Sequence, residues 1–270
     1  MSKEKMGFIR CVWGIYENQK NRWYTRRPKI DNDIGLSILN PYAPKSKVYV
    51  FGEDNQKKMV DLGFDSVLID KKPFVWDMEN EQYRHKIEAW KYGLLDFEQV
   101  VFIDWDCVPI QPIPEDFWSV LASGPKIQAT LYMYRKRRVR FRPSNERKMS
   151  ASTFVYMRES NIANEIIDVW EKIGRPWQEE AALSKYIDDL DGGWKSVEEY
   201  KKYEPKFHCL FLNYNDISFL KNRPPIFYHY NRNVVSKLLG DRNAERIKIR
   251  LDHRYKNEVA NLLAIKENKK

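Results

Sequence analysis

Residues 100–110 read Val-Val-Phe-Ile-Asp-Trp-Asp-Cys-Val-Pro-Ile, and the order of their apolar and acidic side chains points to the fold class. The run Gln99–Ile103 is apolar without alternation after its first residue, the pattern of a central strand covered on both faces. It stops abruptly at Asp104. In extended backbone, residues i and i+2 point to the same side, so Asp104 and Asp106 converge while Trp105 points away. Two carboxylates that close repel, and one takes up a proton unless a cation stands between them. Hard oxygen donors suit Mn²⁺ or Mg²⁺, which commonly take one or two carboxylates and fill their shells with substrate phosphate and water. Open α/β sheets bind ligands just beyond the carboxyl ends of their strands, which is where these two residues fall. Asp is also a common turn and cap residue, and an Asp-x-Asp triplet alone carries little. Its position after a buried strand and before Val108-Pro109-Ile110 gives it weight.

Outward from this stretch, short apolar runs alternate with helical patterns, the signature of βαβ units and a largely parallel sheet. Upstream, a helix is expected over Glu81–Leu95, with Tyr83, Ile87, Trp90, Leu94 and Leu95 as its apolar stripe. Strands are expected at Phe8–Tyr16, Val48–Phe51 and Ser66–Ile69, with Gly52, Glu53, Asp54 and Asn55 as a turn after the second. Downstream, strands are expected at Ile127–Tyr134 and Thr153–Met157. A helix follows over Asn161–Ile173, capped by Ser160, and another over Trp177–Ile187, opened by Pro176. Phe207–Leu212 and Ile226–Tyr230 are further strand candidates, and Val234–Lys266 reads as a basic helical tail. No strong linker divides the chain, so an α/β catalytic domain over 1–232 with a helical C-terminal extension over 233–270 is expected.

Phe102-Ile103-Asp104-Trp105-Asp106-Cys107-Val108-Pro109-Ile110 resembles the DxD element of GT-A-type nucleotide-sugar glycosyltransferases, which follows the central strand of a nucleotide-binding sheet. The resemblance spans roughly residues 8–232. It implies a single domain with a mixed, mostly parallel sheet flanked by helices. It also implies transfer of a sugar from a nucleotide-diphosphate sugar, UDP favoured, to an acceptor hydroxyl. Asp104 and Asp106 would hold the cation, with Asp104 and Trp105 at the donor. Family members place a basic residue on the preceding helix near the nucleotide, which puts Arg84 and Lys86 forward; Arg10, Arg26 and Arg27 near the first loop are further donor candidates. Ser150-Ala151-Ser152-Thr153-Phe154-Val155-Tyr156 is similar to the small-residue strand beneath the donor sugar, without the usual Asn-Ser-Gly. Pro176-Trp177-Gln178-Glu179-Glu180-Ala181-Ala182-Leu183 resembles an acidic helix start near the reacting centre. Glu179 and Glu180 are therefore the candidates for the general base that an inverting enzyme needs; glutamates at a helix start also simply favour the helix dipole. Tyr228-His229-Tyr230-Asn231 resembles a late element whose histidine completes the metal shell, which makes His229 the third expected ligand.

The formal net charge of +9 is unevenly spread. Residues 135–148 hold eight Lys or Arg against one acid, Glu146, and residues 221–270 hold 13 basic against 5 acidic residues. Dense positive charge suits an anionic partner. Arg135, Arg137, Arg138, Arg140, Phe141 and Arg142 are the acceptor-side candidates, and the acceptor expected is a glycan, a glycolipid or a modified base in DNA, the last a substrate of some viral glycosyltransferases. Basic residues interleaved with aromatics also suit nucleic acid, so a non-catalytic nucleic-acid-binding protein is one competing reading. Another metal-dependent nucleotide-processing transferase is a second. The chain has neither a G-x-x-x-x-G-K-[ST] loop nor a G-x-G-x-x-G element, which argues against P-loop and dinucleotide enzymes. Three scattered cysteines, Cys11, Cys107 and Cys209, fit no disulfide framework or zinc site. No apolar run reaches membrane-span length, and the charged Met1–Lys5 has no apolar segment behind it. A cytoplasmic location is expected, the host's for a viral enzyme; the oligomeric state is left open.

Overall fold

The computed structural model describes residues 4–13, 46–61, 63–72, 84–104, 107–109, 113–131, 150–174, 179–190, 209–210 and 227–229. Seven strands and two helices set the frame of the sheet and its connections: β1 Glu4–Val12, β2 Ser46–Phe51, α1 Glu53–Asp61, β3 Ser66–Asp70, α2 Arg84–Asp96, β4 Phe97–Ile103, β5 Cys107–Pro109, β6 Ile127–Leu131 and β7 Ser150–Arg158. Three further helices are α3 Phe117–Ala122, α4 Ile162–Lys172 and α5 Glu179–Leu190, and two short strands are β8 Cys209–Leu210 and β9 Phe227–His229.

Six strands form one mixed sheet in the order β3-β2-β1-β4-β7-β6. β3, β2, β1 and β4 are parallel neighbours, β7 is antiparallel to β4, and β6 is antiparallel to β7. The chain moves outward from β1 to β3 and then returns past β1 to lay down β4. The strand order reverses between β1 and β4, and such switch points are where α/β sheets open a crevice for ligands.

Alternate side chains of the strands feed opposite layers. Ile9, Val100, Phe102, Val155 and Met157 pack with Ile87, Trp90 and Leu94 of α2, Ile166 and Trp170 of α4, and Leu183 and Ile187 of α5. Their neighbours Phe8, Val101, Ile103, Phe154 and Tyr156 pack with Phe117, Trp118 and Leu121 of α3 and with Phe227 of β9. Val12, Val48 and Val50 close on Met59 of α1. Both faces are thus covered, which is why VVFI in β4 carries no polar alternation. Gly93 lets α2 lie directly on β1, since a Cβ there would come within 2.6 Å of Ile9 Cδ1.

Four features differ from the sequence expectations, besides shifts of one to three residues at other described element ends, β7 starting at Ser150 rather than Thr153 among them. β1 begins at Glu4 rather than Phe8, because its parallel register on β4 runs back to the Glu4–Phe97 pair. Glu53, Asp54 and Asn55 open helix α1 instead of forming a turn: only Gly52 turns, at φ 100°. Asn55 Nδ2 then donates to Phe51 O at 2.7 Å, and the two acids lie in the first turn, where the helix dipole favours them. The N-cap of α4 is Asn161, not Ser160. Leu95 is 52% exposed rather than part of the buried stripe, because it is one step of about 100° past Leu94. Helix α3 and strand β5 are additions that periodicity did not indicate. Residues 175–178, the basic segment 132–149 and the tail 230–270 lie outside the described residues.

Candidate functional site

At the carboxyl end of β4 the alternation that sends Phe102 toward α2 sends Asp104 the same way. Its backbone N–H is held by Thr153 O at 2.9 Å. Lys86 on α2 meets it: Nζ lies 2.9 Å from Oδ1 and 3.0 Å from Oδ2 of Asp104. Lys86 falls one helical turn before Trp90, in line with the buried stripe, so a lysine stands where the pattern asks for an apolar residue. Its stem passes beside Phe102, with Nζ 5.6 Å from the ring centroid.

The same ammonium is 3.0 Å from Glu179 Oε1 at the start of α5 and donates to Ser152 Oγ at 3.2 Å. Ser152 Oγ in turn donates to Glu179 Oε1, and the Ser152 backbone N–H donates to Glu180 Oε1 at 3.2 Å. One ammonium, three carboxylates and a hydroxyl from four elements thus converge. Glu179 is 2% exposed and Ser152 1%, whereas the Asp104 side chain keeps 21% of its surface. Burial pulls the pKa of Lys86 down, but Asp104 and Glu179 outweigh it and hold the ammonium well above the usual lysine range. Lys86 is a fixed cation at neutral pH.

Ser152 reaches the cluster through an irregularity in β7. Ala129 of β6 pairs with Val155, yet the next residue, Thr130, pairs with Ala151, so residues 152–154 have no counterparts on β6. Such bulges re-aim side chains and adjoin functional sites.

The other expected donor residues are distributed differently. Arg84 braces α2 against α4: its Nε is 3.3 Å from Glu88, its guanidinium is 3.8 Å from Glu171, and it lies 5.7 Å from the Trp170 ring centroid. Arg10 is buried within β1, opposite Val48. Cys11 is buried, in no disulfide, with its Sγ donating to His85 O at 3.7 Å, and burial pushes its pKa far up, which removes it as a nucleophile. Trp105, Asp106, Arg26, Arg27, Arg135, Arg137, Arg138, Arg140, Phe141 and Arg142 lie outside the described residues.

His229 is located by its backbone. β9 pairs antiparallel with β5, and the register sets His229 opposite Cys107, next in sequence to Asp106. Among the described residues no group of three His, Cys, Asp or Glu side chains is arranged to hold a metal ion. The donor types fit a hard divalent ion: Asp104 is a partly open carboxylate, Asp106 follows two residues on, and the strand of His229 lies alongside. Among the described residues no helix is long and apolar enough to cross a membrane.

No family model matches the chain, and no curated protein does.

Proposed function

We propose that the chain is a metal-dependent glycosyltransferase of the GT-A type, moving a sugar from a nucleotide-diphosphate sugar to an acceptor hydroxyl. One observation carries this reading. Asp104 follows the central parallel strand at the point where strand order reverses and meets a buried lysine there, and that lysine and Ser152 tie in Glu179 and Glu180 from another element. A perturbed lysine among converging carboxylates at such a switch point is an arrangement that functional sites use. UDP is the favoured donor nucleotide, and the acceptor belongs to a glycan, a glycolipid or a modified base in DNA.

In this reading Asp104 and Asp106 hold Mn²⁺ or Mg²⁺, with His229 as a third ligand. When bound, the ion supplies positive charge against the diphosphate leaving group. Lys86, in contact with both Asp104 oxygens, fixes the orientation of that carboxylate. Glu179, committed to Lys86 and Ser152, is a positioning residue. Glu180, whose Oε1 accepts from the Ser152 N–H, is the other glutamate of the cluster and the candidate general base if the reaction inverts; a retaining reaction would not need it.

Thermal unfolding with a panel of nucleoside diphosphates, with and without Mn²⁺, tests the reading. A ligand at 100 times its dissociation constant adds about 2.7 kcal/mol, a rise of roughly 5–10 °C at this chain length. A rise for one nucleotide that requires Mn²⁺ and disappears in Asp104→Ala is expected. No rise with any nucleoside diphosphate would sink the proposal.

A further inference from the structure

Lys86 stands on ground that a divalent ion would contest. Its ammonium touches both oxygens of Asp104, at 2.9 and 3.0 Å, and Glu179 at 3.0 Å. A divalent ion bonded to a carboxylate oxygen sits about 2.1 to 2.5 Å from it. An ion on Asp104 would therefore lie within roughly 5 Å of Nζ, with centres of charge +2 and +1 facing each other where water is largely shut out. Retreat is closed to Lys86, since its side chain is 11% exposed and its stem is packed along α2 beside Phe102. The ion alone is thus opposed by Lys86. A diphosphate alone is opposed by Asp104, Glu179 and Glu180. Together they oppose neither, because the phosphate oxygens face both cations while the metal faces the carboxylates.

We propose that Lys86 is the resident counter-cation of this site, and that it makes binding of the divalent ion conditional on the diphosphate, so the two enter as a pair. This rests on the proposed reading of Asp104 as a metal ligand. While empty, the site holds Asp104 and Glu179 on Lys86 and Glu180 on the Ser152 N–H, and it does not collect free divalent ions. Because coupling between two ligands is reciprocal, the ion must raise diphosphate affinity by the factor by which diphosphate raises that of the ion. Lys86→Gln removes the opposing charge, so the variant takes the ion without the diphosphate. Lys86→Arg keeps the charge and keeps the condition.

Equilibrium dialysis of the full chain against Mn²⁺ tests this, with UDP or inorganic pyrophosphate absent or at equal concentration on both sides. Wild type is expected to bind Mn²⁺ about tenfold or more tightly when the diphosphate is present. Lys86→Gln is expected to bind Mn²⁺ alone about tenfold more tightly than wild type does, with the gap between the two conditions narrowed. Wild type that binds Mn²⁺ equally with and without diphosphate overturns the role of Lys86 and leaves the glycosyltransferase reading standing. Lys86→Gln that folds and leaves the affinity for Mn²⁺ alone unchanged does the same. Should Lys86→Gln not fold, the wild-type comparison and Lys86→Arg decide: Lys86→Arg must retain the dependence on diphosphate, and its loss there overturns the proposal. Wild type that takes up no Mn²⁺ under either condition overturns the metal reading and this inference together.

Discussion

A lysine meets a carboxylate at each end of β4, and the two contacts differ in kind. Where the chain runs into the strand, Lys47 Nζ lies 3.1 Å from Asp96 Oδ2, and Tyr49 OH donates to the same oxygen at 2.7 Å. The contact is one to one, and its side chains are 19% and 35% exposed. Where the chain leaves the strand, Lys86 is shared by Asp104 and Glu179 and tied through Ser152 to α5, and Glu179 keeps only 3% of its side-chain surface. The outer pair sits partly in water, where an ion pair adds little. The inner cluster bears the cost of stripping water from several charges, and well-packed apolar residues would often be at least as stable there. Charge held at that cost, at the ligand-binding edge of a sheet, argues for use rather than for stability. Substitutions at three positions, Asp104, Glu179 and Asp96, put the contrast at risk.

The largest effect expected is on turnover. If the proposed reading holds, Asp104→Ala should lower sugar transfer on the order of a thousandfold or more, since that reading puts Asp104 on charge developing at the reacting centre. Its effect on folding should be far smaller, because Lys86 keeps Glu179 as a partner. Asp96→Ala, one β-strand away, should leave turnover within about twofold, since surface changes away from such features are usually small. The comparison breaks if steady-state assays find the two variants equally active.

The next effect is on stability. Glu179→Ala leaves Lys86 with Asp104 but deprives it of its most buried counter-charge and Ser152 Oγ of its acceptor. Breaking a buried pair from one side costs about 3 kcal/mol, a fall of roughly 6–12 °C in melting temperature for a chain of this size. Glu179→Gln keeps the shape and an acceptor oxygen and should recover part of that. A calorimetric scan showing Glu179→Ala within about 1 °C of wild type, against that range, would mean that Lys86 does not depend on α5.

Much of this contrast was legible in the residues, and some was not. The central strand, its flanking helix and the placing of Asp104 followed from apolar run length and period, because packing on both faces leaves that imprint in sequence. Lys86 interrupts the apolar stripe of α2, a local signal that it serves something buried. Glu179 and Glu180 came forward through the resemblance of their stretch to an acidic helix start near a reacting centre; taken alone they are acids at a helix start, where the dipole accounts for them equally well. What brings them to Asp104 is the fold's return of β7 beside β4, a long-range pairing with no local mark. Ser152 was hidden further, since its aim depends on the unmatched residues of β7, and one slip in register turns a side chain to the other face. The turn assigned to residues 52–55 failed because turns and helix N-termini draw on the same short polar residues, and only the φ of Gly52 separates them here.

The smallest effect belongs to the outer pair. Asp96→Asn removes the charge opposite Lys47 but leaves an amide oxygen that can accept from Tyr49 OH. Lys47 keeps its position over the Phe97 ring, 5.3 Å from the centroid, and its head remains in reach of water. A partly exposed pair of this sort is worth roughly 0.5 kcal/mol, or about 1–2 °C in melting temperature. Salt should erase most of that difference, because ions screen exposed charges and reach buried ones poorly. The same salt titration on Glu179→Ala should leave its deficit nearly intact. If Asp96→Asn proves as costly as Glu179→Ala, or if salt closes both gaps alike, then the two ends of β4 hold the same kind of ion pair, and burial of charge at the carboxyl end no longer argues for a functional site.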